Sequence, residues 1–296
     1  MINKTLFSVF KQGSKTYFYS SIFFPSYMKK DVFALYGFVR KTDNYVDSIP
    51  QDVNGFYNFK EKYEKAINGK KTDDIIIDSF VELSNKKKFD EEWTESFLAS
   101  MESDIIKSKY ETIDEIINYM YGSAEVIGLF MAKIMNLNED AYHYAKFLGR
   151  SMQYINFIRD INDDIKLGRT YMPQNEIKKY GIKSLDYDFV KEIPEKYTAF
   201  IHNQLKYYCE WQHEAEEGFK FIPKRYLIPV KTASEMYNWT AKQIYNNPFI
   251  IYKAKVKPQI SKILSTTIMN IIDPRSTNKC RPILNINPKI NPELEY

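Results

Sequence analysis

Two well-separated segments of this 296-residue chain carry polar residues at closely similar helical spacings. In and just before VRKTDNYVDSIP (39–50), Tyr36, Arg40, Asp43 and Asp47 fall at offsets 0, 4, 7 and 11. In QYINFIRDINDDIKLGRTYMP (153–173), Gln153, Asn156, Asp160 and Asp164 fall at offsets 0, 3, 7 and 11. Offsets of three, four and seven gather side chains on one face of an α-helix but scatter them over both faces of a strand. Wherever these residues act together, the chain is expected to be helical.

One such run alone reads as a solvated Arg–Asp pair on an amphipathic helix. Two of them can oppose each other across a bundle and point four carboxylates into one space, where each raises the pKa of the others. Divalent cations relieve that repulsion. An all-oxygen donor set suits Mg²⁺, which takes one or two carboxylates and completes its shell with substrate phosphates. Arg40, Arg159 and nearby lysines fit an anionic phosphate ligand. Gln153 and Asn156 are amides in an otherwise apolar run, and buried amides need partners, so a polar cavity is expected there. A di-iron carboxylate bundle would need Glu-x-x-His on two facing helices, and the chain does not supply two.

The rest of the chain agrees with an all-α fold. Glycine is scarce, with 10 residues, and apolar residues recur at intervals of three and four. Helices are expected over roughly 31–48, 55–68, 90–106, 112–135, 138–166, 190–217 and 229–247. Pro25 precedes the first of these, and the Ser48-Ile49-Pro50 step ends it. NGKKTDD and LSNKKKFDEE read as polar connections, and 166–188 as a loop with a helical turn after Pro173. No long linker divides residues 1–272, which are read as one helical domain. Residues 273–296 carry Pro274, Pro282, Pro288 and Pro292 and read as an extended tail.

Composition excludes several classes. A formal charge of +4 with interspersed Lys and acidic residues lacks the concentrated basic patch of a nucleic-acid binder. Two distant cysteines and three scattered histidines offer neither a disulfide framework nor a Cys/His metal site. Lysines interrupt the N-terminal apolar residues, leaving no signal-peptide core, and no apolar run is long enough to span a bilayer. A cytoplasmic protein is expected, with peripheral contact to a membrane left open.

The same residues resemble the squalene and phytoene synthases, which join two prenyl diphosphates head to head. YGFVRKTDNYVD resembles the family's first aspartate-rich motif, and QYINFIRDINDDIKLGRTYMP its second. YMYGSAEVIGLFM (119–131) is similar to a helix lining the family's cavity, and GSKTYFYSSIFFP (13–25) to its N-terminal substrate-binding stretch. ASEMYNWTAKQIYNNPFIIYKAKVKP (233–258) is similar to the closing helix and its basic edge. The resemblance covers residues 10 to about 260 and implies an isoprenoid-synthase-type bundle around a central cavity.

It also implies roles. Asp43, Asp47, Asp160 and Asp164 match the Mg²⁺-binding aspartates, with Mn²⁺ a substitute. Lys15, Arg40 and Arg159 match positions near the diphosphates, and Ser14 and Thr16 belong to the binding stretch. Tyr119, Gln153 and Asn156 match cavity residues that hold diphosphate or orient the reacting ends, Tyr119 among the catalytic group. Tyr36 shares the first motif's face, and Tyr237 and Lys255 match C-terminal diphosphate contacts. Asn44 stands where many members have a second consecutive Asp. Gly13 stands where squalene and dehydrosqualene synthases often have His, and GSKTY, YGSAEVIG and GRTYMPQNEI are nearer to archaeal-type phytoene synthases.

The resemblance therefore implies condensation of two geranylgeranyl diphosphates to phytoene through a cyclopropyl diphosphate, without NADPH. The alternatives are a squalene or dehydrosqualene synthase acting on farnesyl diphosphate, and a noncatalytic assembly factor that keeps the fold. The last would be expected to have lost aspartates that are all present here. Of the aromatic stretch Tyr17, Phe18, Tyr19, Phe23 and Phe24, most members are expected in the core, with one or two free to face a carbocation. Gly122, Ser123, Ala124 and Gly128 either leave room for an isoprenoid chain or let helices approach closely.

Overall fold

The computed structural model describes residues 3–13 and 15–274, with the side chains of Lys15 and Thr16 outside that description. The expected tail therefore lies almost wholly outside the described residues. The chain opens with α1 (Lys4–Gly13), α2 (Lys15–Ser21), α3 (Ser26–Asp47) and α4 (Val53–Ile67). It continues with α5 (Ile75–Lys87), α6 (Glu91–Ile106), α7 (Ile113–Met120) and α8 (Val126–Ile134). Then come α9 (Tyr142–Lys166), α10 (Gln174–Lys179), α11 (Tyr187–Val190), α12 (Pro194–Glu217) and α13 (Lys224–Asn246). Short α14 (Ile250–Lys253) and α15 (Ile260–Ile272) follow. No strand occurs among the described residues, and the fold is all-α, as the spacing predicts.

Local chemistry explains several boundaries. Pro25 stands immediately before α3, because a proline needs no hydrogen bond at a helix start. Asp52 caps α4 by accepting from the Gly55 N–H at 2.9 Å, and Asp74 caps α5 by accepting from the Ile76 N–H at 2.9 Å. α5 shortens the expected polar connection 84–92 to residues 88–90: its apolar side buries Ile76, Ile77, Phe80 and Leu83, and Lys86 and Lys87 fall in the last turn, where the helix dipole favours cations. The expected start of the penultimate long helix at Pro229 is also corrected. α13 begins at Lys224 and carries Pro229 within it. α1, α2 and α15 are absent from the expected helices, although α2 falls within the quoted stretch 13–25.

Two apolar clusters fill the molecule. One joins α1, α3–α6 and α8 around Phe33, Phe38, Phe80 and Phe97. The other joins α7, α9, α12 and α13 around Tyr154, Ile158, Phe200 and Tyr208. α12 packs along α9, and polar rungs fix their register. Tyr154 Oη donates to Gln204 Oε1 at 2.5 Å, and Ser151 Oγ donates to Gln212 Oε1 at 2.9 Å. The space between the two clusters holds the candidate site.

Helix 112–135 is expected to be continuous, but residues Tyr121–Glu125 form a π turn in which the Val126 N–H bonds to the Tyr121 carbonyl. A π turn inserts an extra residue and shifts every later side chain around the axis. Tyr119 and Ser123 face the cavity, whereas Gly122 points at Ser96 and Ser100 of α6. Gly128 and Gly149 explain themselves by close approach. A Cβ at Gly128 would collide with the Ala145 backbone, and one at Gly149 with the Ala124 backbone.

Candidate active site

A cavity of about 480 Å³ lies between the clusters. α3 turns Tyr36, Arg40, Asp43 and Asp47 to it, and α9 turns Gln153, Asn156, Asp160 and Asp164 to it. All eight residues of the two spaced runs thus line one space. Tyr119, Arg159 and Tyr237 line it as well. Ser14 lies outside the described residues, as do the side chains of Lys15 and Thr16. Lys255 is not in the wall. Its Nζ sits at the rim, 2.9 Å from Asp163 and 3.6 Å from Asp160, while Lys257, two residues on, lines the cavity.

On each wall one aspartate is ion-paired and its neighbour is not. Asp160 accepts two hydrogen bonds from Arg159, at 2.9 Å from Nε and 2.5 Å from Nη2. Asp47 accepts from Arg169 Nη2 at 2.8 Å. Asp43 and Asp164 make no ion pair with a described residue. Burial, then the Asp47 charge, push Asp43 up to about 7, against the pull of Arg40. Burial, then the Asp160 charge, push Asp164 up to about 8. Those directions are what like charges in a low-dielectric cleft produce.

Arg169, Tyr171 and Asp104 form a centre that the sequence did not reveal. Asp104, at the end of α6, is 6% exposed. It accepts from Tyr119 Oη and Tyr171 Oη at 2.7 Å each, and Arg169 Nη1 stands 3.6 Å away. Burial dominates its pKa, pushed up to about 6 against the pull of Arg169 and both tyrosines. The loop after α9 reaches this point because Gly168 turns with φ +73°, a conformation that glycine adopts without strain. The loop then pairs with the strand-like segment after α6, the Thr170 N–H donating to Ser108 O at 2.8 Å. Tyr171 stacks on Phe157 with ring centroids 4.3 Å apart, so the polar end of the cavity carries aromatic faces as well as carboxylates.

The remainder of the cavity is apolar. The lining passes along α9 from Met152 through Leu148 to Ala145, and on to Ala141 just before the helix, a wall of roughly 16 Å at the α-helical rise per residue. Ile127, Met131 and Met135 line it from α8 and just beyond. Of the N-terminal aromatics, Tyr17 and Phe24 line the cavity, and Phe18 packs in the core. The arrangement can therefore take a ligand with an anionic head and a long hydrocarbon body.

Comparison with known proteins agrees with this geometry. The model of the squalene/phytoene synthase family matches residues 10–263. Phytoene synthase 2 of Solanum lycopersicum is 24% identical over 284 residues, covering 90% of this chain and 89% of its own. The 15-cis-phytoene synthase of Synechococcus elongatus is 22% identical over 258 residues, covering 82% and 83%. Phytoene synthase of Daucus carota is 26% identical, but the chain spans only 61% of its length. In structure, a dehydrosqualene synthase in complex with ligand superposes with a TM-score of 0.74 at 19% identity, covering 89% of this chain and 93% of that one. A squalene synthase of Alicyclobacillus acidocaldarius gives a TM-score of 0.72 at 17% identity, covering 82% and 92%. At these identities the solved structures speak to the fold. The chain belongs to the squalene/phytoene synthase family. It is a prenyltransferase, and prenyl diphosphates are the substrate class consistent with that family.

Proposed function

We propose that this prenyltransferase condenses two geranylgeranyl diphosphates head to head to phytoene. The observation that carries the reading is one continuous cavity, with two aspartate faces and arginines at one end and an apolar channel through the rest. The phytoene synthases among its sequence relatives support the C20 choice. The fold shared with squalene and dehydrosqualene synthases supports a second reading, the same condensation on two farnesyl diphosphates.

Asp43, Asp47, Asp160 and Asp164 would hold Mg²⁺, with Mn²⁺ able to replace it. The fit rests on Asp43 and Asp164, two half-buried carboxylates that line the cavity without an ion pair and that desolvation and a neighbouring aspartate push up. No three metal-ligating side chains among the described residues cluster closely enough to hold an ion alone. Phosphate oxygens and water would complete the shell, as Mg²⁺ commonly requires. Bound there, the ion supplies Lewis-acid assistance to departure of the diphosphate.

The chain's own groups do the rest. Arg40 and Arg159 donate hydrogen bonds to diphosphate oxygens as the C1–O bond breaks and its electron pair leaves with the diphosphate. The rings of Tyr119, Tyr171 and Phe157 offer π faces to the allylic cation, and the apolar walls keep water from quenching it. Asp104 fixes both tyrosine hydroxyls. In sum, two C–O bonds break, two diphosphates leave, one C1–C1 bond forms and two protons are lost. No hydride donor is needed, whereas squalene would replace the second proton loss with hydride from NADPH.

The test is incubation with Mg²⁺ and either C20 or C15 diphosphate, with and without NADPH, and mass identification of the hydrocarbons. A C40 triene from the C20 substrate without NADPH is expected, and chelation of Mg²⁺ should abolish it. A C30 product only would move the protein to the second reading. No hydrocarbon from either substrate, with diphosphate still bound, would return it to a noncatalytic role.

A further inference from the structure

Helix α15 faces the wrong way for a surface helix. Its buried residues are Ile263, Thr267 and Asn270, two of them polar. Ile260, Leu264, Ile268 and Ile272 form a stripe on the outer side at intervals of four, with Ile268 56% and Ile272 73% exposed, and Met269 and Ile271 widen it. Polar side chains hold the inner side down: Asn270 Nδ2 donates to Glu235 Oε2 at 2.8 Å and to Thr232 Oγ1 at 3.2 Å, both on α13. A surface helix ordinarily buries its apolar stripe, and an unburied one marks an interaction surface.

Three further observations say what covers it. The stretch Asn247–Ile272 contains no acidic residue; Lys255 is held by Asp163 and Asp160 and Lys257 lines the cavity, which leaves Lys253 and Lys262 to complement an anionic surface. The face is about 20 Å long and about 10 Å wide on α-helical dimensions, roughly 200 Å², against about 800 Å² that each partner gives to a stable dimer. α15 packs on α2 and α13, and both of these line the cavity through Ser20, Ser21, Val230 and Ala233. Lys257 and Pro258, which lead into α15, are in the cavity wall themselves. With 13 residues, α15 is too short to cross a bilayer, and no described helix is long and apolar enough to do so. A short helix of this kind can lie in the plane of the headgroups, drawn there by apolar burial and attraction to anionic lipid.

We propose that α15 is a membrane-docking helix that seats the protein on an anionic lipid surface beside the cavity. The inference rests on the exposed face and its charge, not on which hydrocarbon is made. Docked this way, the cavity's apolar contents exchange with lipid rather than with water.

The test is co-sedimentation of the full-length protein with vesicles of phosphatidylcholine, with and without phosphatidylglycerol, at low and high salt. Binding to the phosphatidylglycerol vesicles is expected, weakened by salt. The triple variant L264Q/I268Q/I272Q should lower the partition coefficient at least about tenfold. It should keep its Tm and its turnover of detergent-dispersed substrate. K253Q/K262Q should weaken binding only to the anionic vesicles. Absence of binding by the unaltered protein, or equal binding by the triple variant, would overturn the proposal. So would a dimer in solution that the triple variant dissociates, which would assign the face to a second copy. A protein that makes no hydrocarbon but still binds vesicles would sink the catalytic reading and leave this one standing.

Discussion

Asp47 and Asp160 each hold an arginine, while Asp43 and Asp164, one on α3 and one on α9, hold none. Folding thus buries carboxyls at about 6 (Asp104), 7 (Asp43) and 8 (Asp164) that titrate near about 3.9 in an unfolded chain. Between those values the folded state binds more protons than the unfolded one. The stability these groups contribute is therefore present below about pH 4 and lost as pH rises through 6 to 8. The metal-free protein should show a Tm that falls over that window, and Mg²⁺ with inorganic diphosphate should restore it at the upper end far more than at the lower. A metal-free Tm that climbs with pH would contradict this. Arg169 offers a second test. Removing it in Arg169→Met strands Asp104 and should cost about 3 kcal/mol in denaturant unfolding above the pKa of Asp104. Below that pKa, where Asp104 is protonated, the cost should be clearly smaller; an equal cost at both pH values would mean that the ion pair is not what is lost. Asp104 was invisible in the sequence, since its partners come from α7 and the loop after α9, and nothing at helical spacing marks ESDII. Arg169 and Tyr171 lay inside a quoted motif, but only the Gly168 turn shows where they point.

The elements themselves were the most legible level. Most of the long helices sit within a few residues of where apolar spacing and proline placed them, because burying one face is what makes each of them stable. The exceptions are instructive. α5 was hidden by its terminal lysines, and the π turn at Tyr121–Glu125 leaves no trace in periodicity, although it decides that Ser123 rather than Gly122 accompanies Tyr119. The small residues of YGSAEVIG carried two readings, and Gly122 and Gly128 now favour close packing. A Cβ at Gly128 meets backbone of α9, not open cavity. Gly128→Ala should therefore lower stability by about 1–3 kcal/mol in ligand-free protein, read by thermal or denaturant unfolding. Unchanged stability with an altered product length would instead assign the glycine to making room for substrate.

At the scale of the molecule, the two spaced runs are meaningful only because α3 belongs to one apolar cluster and α9 to the other. Folding the two clusters together turns two amphipathic faces into opposite walls. The spacing foretold which residues face inward, but not the depth of the apolar channel, which depends on side chains from α8, α9 and α13 meeting in three dimensions. Nor did it foretell the outward apolar face of α15. In the proposed reaction both walls grip one diphosphate. Calorimetric titration of inorganic diphosphate in the presence of Mg²⁺, on the unaltered protein and on Asp43→Asn and Asp164→Asn, tests it most directly. Binding should need Mg²⁺ and should be weakened at least about tenfold by either substitution alone. Binding that survives loss of one wall's aspartate unchanged would contradict it.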